Sequence, residues 1–319
     1  MMSYDVQLYD NCKGRQLYNL DDTAGLIDQF IKSVSSNENT GRTYLNALKS
    51  FVWWLEEKNL TFKELTPADI YDYKLYLEEK GYSANTINVK LSAVRSLCNW
   101  VEFICPEYKN PTSQIKGEQR DTGHKHSALT VTEVRRVLDT VDTSTVIGCR
   151  NYVILQFMFS LGLRTVEICR LDKSDIADRN GVTVVYIQGK GHKDKNQFIP
   201  VPEQLLMSLK WYINKRGDDD EPELFKARQG KRMNPQTVSH MVKRYFRKAG
   251  IDDSRYTAHS TRHTSITVAI DCGQSLLDVQ RFARHSKPET TEIYIHEREA
   301  EKAQTSTVVF NSLFGQSVK

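Results

Sequence analysis

The sequence predicts a mainly α-helical protein with one small β-sheet, divided into two domains. Three features of its 319 residues support this prediction. Apolar residues recur at helical spacing along most of the chain, one β-branched run with a glycine turn lies within 182–201, and a polar stretch without an apolar period at 106–127 separates two helical regions. A composition of 39% hydrophobic and 26% charged residues is that of a globular protein.

The first part of the chain predicts an arm followed by a four-helix domain. Residues 1–20 show no clear period and are interpreted as an N-terminal arm. Residues 21–105 contain four amphipathic segments, and each begins at residues that cap helices. The clearest start is Thr66, which precedes a proline at the first helical position. The other starts are predicted at Asp21-Asp22-Thr23, Thr40 and Ser83.

Residues 106–127 predict a linker, and residues 128–305 predict a second, mostly helical domain. The β-branched run 182–187 and the apolar residues 198–201 flank a glycine turn that includes Lys190, which predicts a β-hairpin. The remaining residues, 306–319, form an apolar tail that could pack on its own domain. Helices are predicted at 130–138, 150–161, 203–215, 234–248, 260–272, 276–284 and 288–293.

Charge is distributed unevenly between the two parts. Residues 1–105 carry 11 Lys and Arg against 14 Asp and Glu, whereas the rest of the chain carries 33 against 26, together with all eight histidines. This distribution favours an anionic partner for the second domain, although it does not by itself establish nucleic-acid binding.

Several classes of protein are excluded by the sequence. It has no run of eighteen apolar residues and no secretory signal, so we expect a cytosolic protein without membrane helices. Six scattered cysteines without a Cys-x-x-Cys pair predict reduced thiols instead of disulfides or a zinc site. The acidic run 218–221 lacks the spacing of a calcium loop and is interpreted as a solvated loop.

His259 and Arg262 form the first candidate site. They lie three residues apart at the entry of a predicted helix and therefore face the same way, which places a proton carrier beside an anion-binding guanidinium. A helix cap with a surface arginine is the alternative interpretation. His263, four residues after His259, also allows a zinc site, but the sequence lacks the Glu of the metalloprotease pattern and a nearby third ligand motif.

The other candidate residues indicate a function only when they are taken together. Arg164 alone could simply pair with Glu167, and Lys190 alone could be an ordinary turn lysine. Two arginines, a lysine, two histidines and a tyrosine are what phosphoryl transfer through a tyrosine requires. The chain has no phosphate-binding loop and no carboxylate cluster for magnesium, so guanidinium groups would have to meet the charge that develops on a phosphate. The set is Arg164, Lys190, His259, Arg262, His285 and Tyr294.

At these residues the chain resembles the tyrosine recombinase (phage integrase) family, in particular its bacterial Xer-type members. The resemblance covers residues 24–298, and the motifs occur in the family's order. Thr261 stands where the family usually has leucine, and Arg284 stands where it usually has glycine. The motifs are Gly162-Leu163-Arg164-Thr165-Val166-Glu167, Gly189-Lys190-Gly191, His259-Ser260-Thr261-Arg262-His263, and His285 followed nine residues later by Tyr294.

The resemblance implies a site-specific DNA recombinase. It implies a helical, SAM-like core-binding domain and a catalytic domain that close on duplex DNA like a clamp. Tyr294 would attack a DNA phosphate and form a 3′-phosphotyrosyl bond, without metal, ATP or another cofactor. A type IB-like topoisomerase and a catalytically silent DNA-binding protein of the same fold are the alternatives.

The resemblance also implies a role for each motif residue. The two arginines of the set would hold the phosphate, with Glu167 as a supporting residue that orients them. Lys190 would protonate the leaving 5′-oxygen, and His259 would accept or relay the tyrosine proton. His285 would be a supporting donor to the phosphate, and His263 would be structural.

The partners implied by the resemblance are double-stranded DNA with paired inverted half-sites and further copies of the chain. A tetramer on two DNA sites is expected, with the tail 306–319 docking on a neighbouring protomer. The expected location is the cytoplasm, at the nucleoid. Accessory proteins stay open, as does the biological task, whether integration of a mobile element, resolution or inversion. Candidate DNA contacts are Lys49, Lys90, Arg95, Lys193 and Arg284.

Overall fold

A computed structural model describes residues 20–34, 38–119, 127–189, 194–217, 219–227, 230–285 and 287–294. Most of these residues are helical, and three strands form one small antiparallel sheet, which confirms the predicted fold class. They belong to two compact units, one up to Gly123 and the other from His124. None of the helices in these ranges is long and apolar enough to cross a membrane.

Four helices form the described part of the first unit, and local capping explains where they begin. The Thr66 hydroxyl accepts the Asp69 N–H at 3.4 Å, while the Asp69 carboxylate accepts the Thr66 N–H at 2.8 Å. This reciprocal cap satisfies two backbone donors at the start of the third helix. The helices are α1 (Thr23–Val34), α2 (Glu38–Lys58), α3 (Pro67–Glu79) and α4 (Ala84–Ile104), so each predicted start is met within two residues.

An aromatic cluster forms the centre of the first unit. The ring of Tyr73, from α3, lies 4.9 Å from that of Phe51 and 5.2 Å from that of Trp54, both from α2. All three side chains are fully buried. Burial of one such side chain contributes about 1.5–3 kcal/mol, so this cluster is a main source of the stability of the unit.

The described part of the predicted linker is fastened to the first unit. The Tyr108 ring stacks on Phe62 with centroids 5.5 Å apart, and the Arg95 guanidinium donates to the Ile115 carbonyl at 2.7 Å. The Asn88 side chain makes two hydrogen bonds with the backbone of residue 118. These contacts are made by isolated residues and produce no apolar period, so the sequence did not predict them.

The second unit combines helices with the sheet. Helix α6 begins four residues before its predicted start, because the Thr145 hydroxyl accepts the Gly148 N–H at 3.0 Å and caps it. Helix α7 and strand β1 were not predicted, since six and four residues are too few to display a period. The elements are α5 (Val131–Asp139), α6 (Val146–Ser160), α7 (Thr165–Arg170), β1 (Ile176–Arg179), β2 (Val182–Ile187), β3 (Gln197–Pro200), α8 (Glu203–Arg216), α9 (Pro235–Lys248), α10 (Ala258–Asp271) and α11 (Leu276–Ala283). Residues 289–294 are helical as well.

The sheet contains the predicted hairpin. Strand β2 is central, with β1 and β3 antiparallel on either side. Val185 pairs with Ile176 on β1 and with Ile199 on β3, and Val185 and Ile199 are buried against the helices. The turn between β2 and β3 therefore emerges from a fixed base. Residues 190–193 of this turn lie outside the described residues.

Candidate active site

Arg164 lies at the start of α7, where a left-handed glycine turns the chain out of α6. Gly162 has φ +58°, and Arg164 returns to an extended backbone before the helix begins. The Arg164 N–H donates to Glu167 Oε2 at 2.8 Å, and Arg164 Nη1 bonds Glu167 Oε1 at 2.8 Å. Glu167 is fully buried. The pairing considered from the sequence is therefore present, and it orients the arginine.

The buried carboxylate of Glu167 is ionised by its surroundings. Burial alone would raise the pKa of Glu167, but the charges of Arg284, Arg164 and Arg262 and the Arg164 N–H outweigh burial and lower that pKa. Glu167 is thus a buried negative charge that pairs with Arg164 and Arg284.

Arg262 reaches the same turn from α10. Its side chain is only 1% exposed, and it donates from Nη1 to the Gly162 carbonyl at 2.7 Å and from Nη2 to the Ala283 carbonyl. Burial, followed by the charges of Arg164 and Arg284, lowers the pKa of Arg262 to about 9. The guanidinium is a desolvated cation held against its neighbours, which strengthens its attraction for an anion.

Arg284 ends α11 in a left-handed conformation, with φ 54° and ψ 44°. Its side chain points inward and is 5% exposed. Nη2 bonds Glu167 Oε2 at 2.9 Å and the Gly162 carbonyl at 3.1 Å, while Nη1 donates to the Phe282 carbonyl at 2.9 Å. The DNA contact that the sequence suggested for Arg284 stays a prediction, and this geometry favours a different role.

His285 follows directly and is fixed at three points. Its Nδ1 lies 2.9 Å from the Thr291 hydroxyl, its N–H donates to the Gln280 carbonyl at 3.1 Å, and its carbonyl accepts from Gln280 Nε2 at 3.2 Å. Burial, then the charges of the three arginines and of His259, lowers the pKa of His285 to about 4. The imidazole is therefore neutral at pH 7.

Tyr294 lies on the last described helical turn, close to both histidine rings. Its ring centroid is 4.5 Å from that of His263 and 6.2 Å from that of His285. The side chain is 5% exposed and belongs to an apolar cluster with Ile266 and Val279. Electrostatic interaction with Tyr294 raises the pKa of Arg262, so the tyrosine hydroxyl lies within electrostatic reach of that arginine.

Two grooves border this cluster, and Arg164 lines both. One has a volume of about 460 Å³ and is lined by exposed His259, Arg262 and Lys243. The other has a volume of about 630 Å³, lies between the base of the hairpin and α11, and includes Gly189 and His285. A ligand bound in either groove would lie next to Arg164.

Lys190 and Lys193, the two candidate residues of the hairpin tip, lie outside the described residues. Gly189, the residue before Lys190, lines the larger groove. The base of the hairpin therefore stands beside the arginine cluster. The roles assigned to the two lysines stay predictions.

The arrangement is suited to an anion and not to a cation. Three guanidinium groups surround one carboxylate, which leaves the cluster positively charged. Within the described ranges, no group of three His, Cys, Asp or Glu side chains is placed to hold a metal. His263, the second residue of the zinc alternative, is 4% exposed and packs on Tyr294.

The first unit holds three further candidates, which differ in environment. Lys49 on α2 is exposed. Lys90 on α4 lines a groove of about 330 Å³ between α2 and α4, donates to the Ser50 hydroxyl at 2.6 Å, and has a pKa lowered by burial. Arg95 is committed to the Ile115 carbonyl. Of the three, Lys49 is the most exposed to solvent.

The sequence analysis missed two positioning contacts. Thr291 is fully buried and bonds His285, and its spacing of three residues before Tyr294 is the only signal in the sequence. Lys195, just after the hairpin tip, bonds Asp172 and Asp175 at 2.6 Å each. Its partners lie 20 and 23 residues away, so no local pattern connects them.

The acidic run 218–221 also has distant partners that the sequence did not predict. Asp219 accepts from Lys173 at 2.9 Å, from Lys226 at 3.0 Å and from Arg216 at 3.0 Å, and these hydrogen bonds and charges lower its pKa. Asp219 is therefore surrounded by three cationic side chains that hold the loop after α8, whereas the sequence analysis expected only a solvated loop.

Comparison with known proteins identifies the family and the fold of the chain. Residues 127–301 match the model of the phage integrase family, and residues 27–102 match that of the phage integrase N-terminal SAM-like domain. The tyrosine recombinase XerD of Vibrio cholerae serotype O1 is 26% identical over 281 residues, covering 85% of this chain and 91% of that relative.

Solved structures share the fold. XerH site-specific recombinase, in a post-cleavage complex with a palindromic difH substrate, has a TM-score of 0.72 at 20% identity, covering 84% of this chain and 79% of that one. A lambda integrase tetramer bound to a Holliday junction has a TM-score of 0.67 at 16% identity, covering 85% and 76%.

The family model spans more than half of the chain and includes the whole arginine, histidine and tyrosine cluster. The cluster, the two-unit fold and these matches lead to one assignment: the chain belongs to the phage integrase family, the tyrosine recombinases, and is a site-specific DNA recombinase.

Proposed function

We propose that Tyr294 is the nucleophile of this recombinase. Its oxygen attacks a phosphodiester of duplex DNA, so that a bond from Tyr294 to the 3′-phosphate forms and the bond from phosphorus to the 5′-oxygen breaks. The tyrosine proton passes to a base, and the released 5′-oxygen takes up a proton. The observation that carries the proposal is the tyrosine ring packed beside His263 and His285 at the edge of a buried arginine cluster.

Arg164 and Arg262 are proposed to hold the two nonbridging oxygens of the phosphate. Both guanidinium groups are fixed by protein oxygens before DNA arrives, so little reorganisation is needed as charge builds in the transition state. Removing one such donor costs about 10²–10³ in rate.

The proton transfers are assigned to residues on either side of the cluster. His259, exposed at the first turn of α10, is proposed to accept or relay the Tyr294 proton. Lys190 is proposed to protonate the leaving 5′-oxygen from the hairpin tip. His285, neutral at pH 7, is proposed to donate from its remaining ring nitrogen to the phosphate while Thr291 holds Nδ1.

Tyr294 needs to move before it can attack. Its side chain is 5% exposed and packs among apolar residues of α10 and α11. The helical segment 289–294 therefore has to shift so that the hydroxyl meets the phosphate held by the arginines.

The reaction is proposed to need neither metal nor ATP. Guanidinium groups supply the positive charge that a metal ion otherwise provides. The energy of the cleaved phosphodiester is kept in the phosphotyrosyl bond, so rejoining needs no further energy source.

The proposed partners are double-stranded DNA with paired inverted half-sites and three further copies of the chain. The palindromic substrate named for XerH and the tetramer named for lambda integrase support this assembly. Lys49 and Lys90 on the first unit, Lys193 at the hairpin tip and the tail 306–319 are proposed to serve binding and assembly. The proposed location is the cytoplasm, at the nucleoid.

A covalent-trapping assay tests the proposal. The protein is incubated, in chelator and without ATP, with nicked duplexes drawn from DNA that flanks its gene, and adducts that survive denaturation are counted. We expect an adduct with wild type and with the control Tyr186→Phe, a partly buried tyrosine on β2, and none with Tyr294→Phe. An adduct that persists in Tyr294→Phe would overturn the assignment of the nucleophile.

A further inference from the structure

Arg284 occupies a backbone position that ordinary side chains avoid. Within the described residues, three residues other than glycine have positive φ: Asn59, Asn180 and Arg284. Asparagine tolerates this conformation, whereas other residues with a Cβ are strained there. The strain at Arg284 must therefore be offset by contacts of its side chain.

The contacts of the Arg284 side chain are made in the interior of the site. The side chain is 5% exposed, and the Glu167 carboxylate that it pairs with is 0% exposed. Its Nη2 also donates to the Gly162 carbonyl at 3.1 Å, and its Nη1 donates to the Phe282 carbonyl at 2.9 Å. A charge-assisted pair in such a desolvated place is stronger than one at the surface.

Arg262 and Arg284 both bond the turn that precedes Arg164. The Gly162 carbonyl accepts from Arg262 Nη1 at 2.7 Å and from Arg284 Nη2 at 3.1 Å. Glu167 Oε2 is shared between the Arg164 N–H and Arg284, while its Oε1 bonds Arg164 Nη1.

We propose that Arg284 is a positioning residue of the recombination site: its guanidinium fixes the Glu167 carboxylate and the Gly162 carbonyl, and through them it orients Arg164 toward the DNA phosphate. This inference rests on the function proposed above. It assigns to this chain a third arginine in a place where the family that it resembles has glycine.

The electrostatics of the cluster agree with this role. Burial raises the pKa of Glu167, and Arg284 is the largest of the charges that reverse this and keep the carboxylate ionised. Without Arg284, the pKa of Glu167 rises, and Glu167 takes up a proton at a higher pH. A protonated Glu167 no longer pairs with Arg164 as an ion, so the orientation of Arg164 becomes sensitive to acid.

Arg284→Gly is the informative variant, because glycine accepts the left-handed backbone of this position without strain. We expect the single-turnover rate of adduct formation to fall about 10- to 100-fold, the effect of a misoriented catalytic group, while DNA affinity stays within about twofold. Arg284→Lys should recover part of the rate, because it restores one charge without the fork. The acid limb of the rate profile should move to higher pH in Arg284→Gly.

Coupling to Glu167 separates this role from a general structural one. In the Glu167→Gln background, adding Arg284→Gly should change the rate by less than about twofold, because the partner through which Arg284 acts is already altered. Asn180→Gly is the matched control for a left-handed position, in the turn between β1 and β2, and should leave the rate unchanged.

Three outcomes would overturn the inference: an unchanged rate in Arg284→Gly, a loss confined to DNA affinity, or rate losses that simply add in the double variant. The second would make Arg284 a DNA contact. Failure of the proposed function is distinguishable, because wild type would then form no adduct or Tyr294→Phe would still form one.

Discussion

Thr291 Oγ1 lies 2.9 Å from His285 Nδ1 and joins the two ends of the segment that leads to Tyr294. The threonine is fully buried one helical turn before the tyrosine. Because His285 is also bonded through its backbone to Gln280 on α11, this residue links α11 to the helical turn that carries Tyr294, the proposed nucleophile. The orientation of His285 and the position of Tyr294 are thus determined together.

Replacing Thr291 by valine should slow cleavage without unfolding the protein. Valine keeps the shape of threonine but removes the hydroxyl that holds Nδ1, so the ring loses its fixed orientation. We expect the single-turnover rate to fall about tenfold, with DNA affinity unchanged. Thr140→Val, which removes a hydroxyl bonded to the Val137 carbonyl after α5, is the control and should keep the wild-type rate. Equal rates in the two variants would contradict the prediction.

His285 should make the stability of the protein depend on pH in a defined window. Burial and the neighbouring arginines lower its pKa from 6.5 to about 4 in the folded chain. Between these two values the unfolded chain binds a proton that the folded chain does not, so the free energy of unfolding falls as the pH falls from 6.5 toward 4. The melting temperature of wild type should drop more across this window than that of His285→Gln. Parallel curves would show that the histidine is not buried as described.

Removal of the Glu167 charge should be among the most costly single changes in the second unit. Glu167→Gln leaves Arg164 and Arg284 buried or half-buried without their carboxylate, and loss of one partner of a buried pair costs about 3–5 kcal/mol. Urea unfolding at pH 7 measures this loss. Glu203→Gln, an exposed carboxylate in the first turn of α8, is the control and should cost less than about 1 kcal/mol.

The contribution of the Glu167 carboxylate to the free energy of unfolding should decrease in acid. The folded pKa of Glu167 is lowered, so its contribution to stability is present above the unfolded pKa of about 4.3 and is lost as the pH falls through the folded value. The stability difference between wild type and Glu167→Gln should therefore shrink in acid. A constant difference down to low pH would mean that the pair contributes through packing and not through charge.

Local signals predicted most of the fold, because caps and periodicity act over a few residues. The cap at Thr66 and the hairpin at 182–201 are examples. The role of Arg284 could not be predicted, because its partner Glu167 lies 117 residues away and only the tertiary fold brings the two together. Its position next to His285, where the family usually has glycine, marked Arg284 as a candidate DNA contact. Nothing in the sequence indicates that its side chain points inward.

The salt dependence of DNA binding should change when Lys49 is replaced but not when Arg95 is replaced. Each lysine or arginine that neutralises a phosphate contributes about −0.9 to the slope of the logarithm of the binding constant against the logarithm of salt concentration. Lys49 is exposed on α2, so Lys49→Gln should reduce the magnitude of this slope by about 1 and weaken binding by a similar factor for all DNA sequences.

Arg95→Gln removes the same charge from the same unit and serves as the matched comparison. Its guanidinium is committed to the Ile115 carbonyl, which fastens the segment after α4. We therefore expect an unchanged salt slope and a loss of stability of about 1–3 kcal/mol, the cost of breaking a hydrogen bond from a charged donor. A reduced slope in Arg95→Gln with unchanged stability would mean that the arginine leaves Ile115 to bind phosphate. An unchanged slope in Lys49→Gln would place the DNA on another face of the unit.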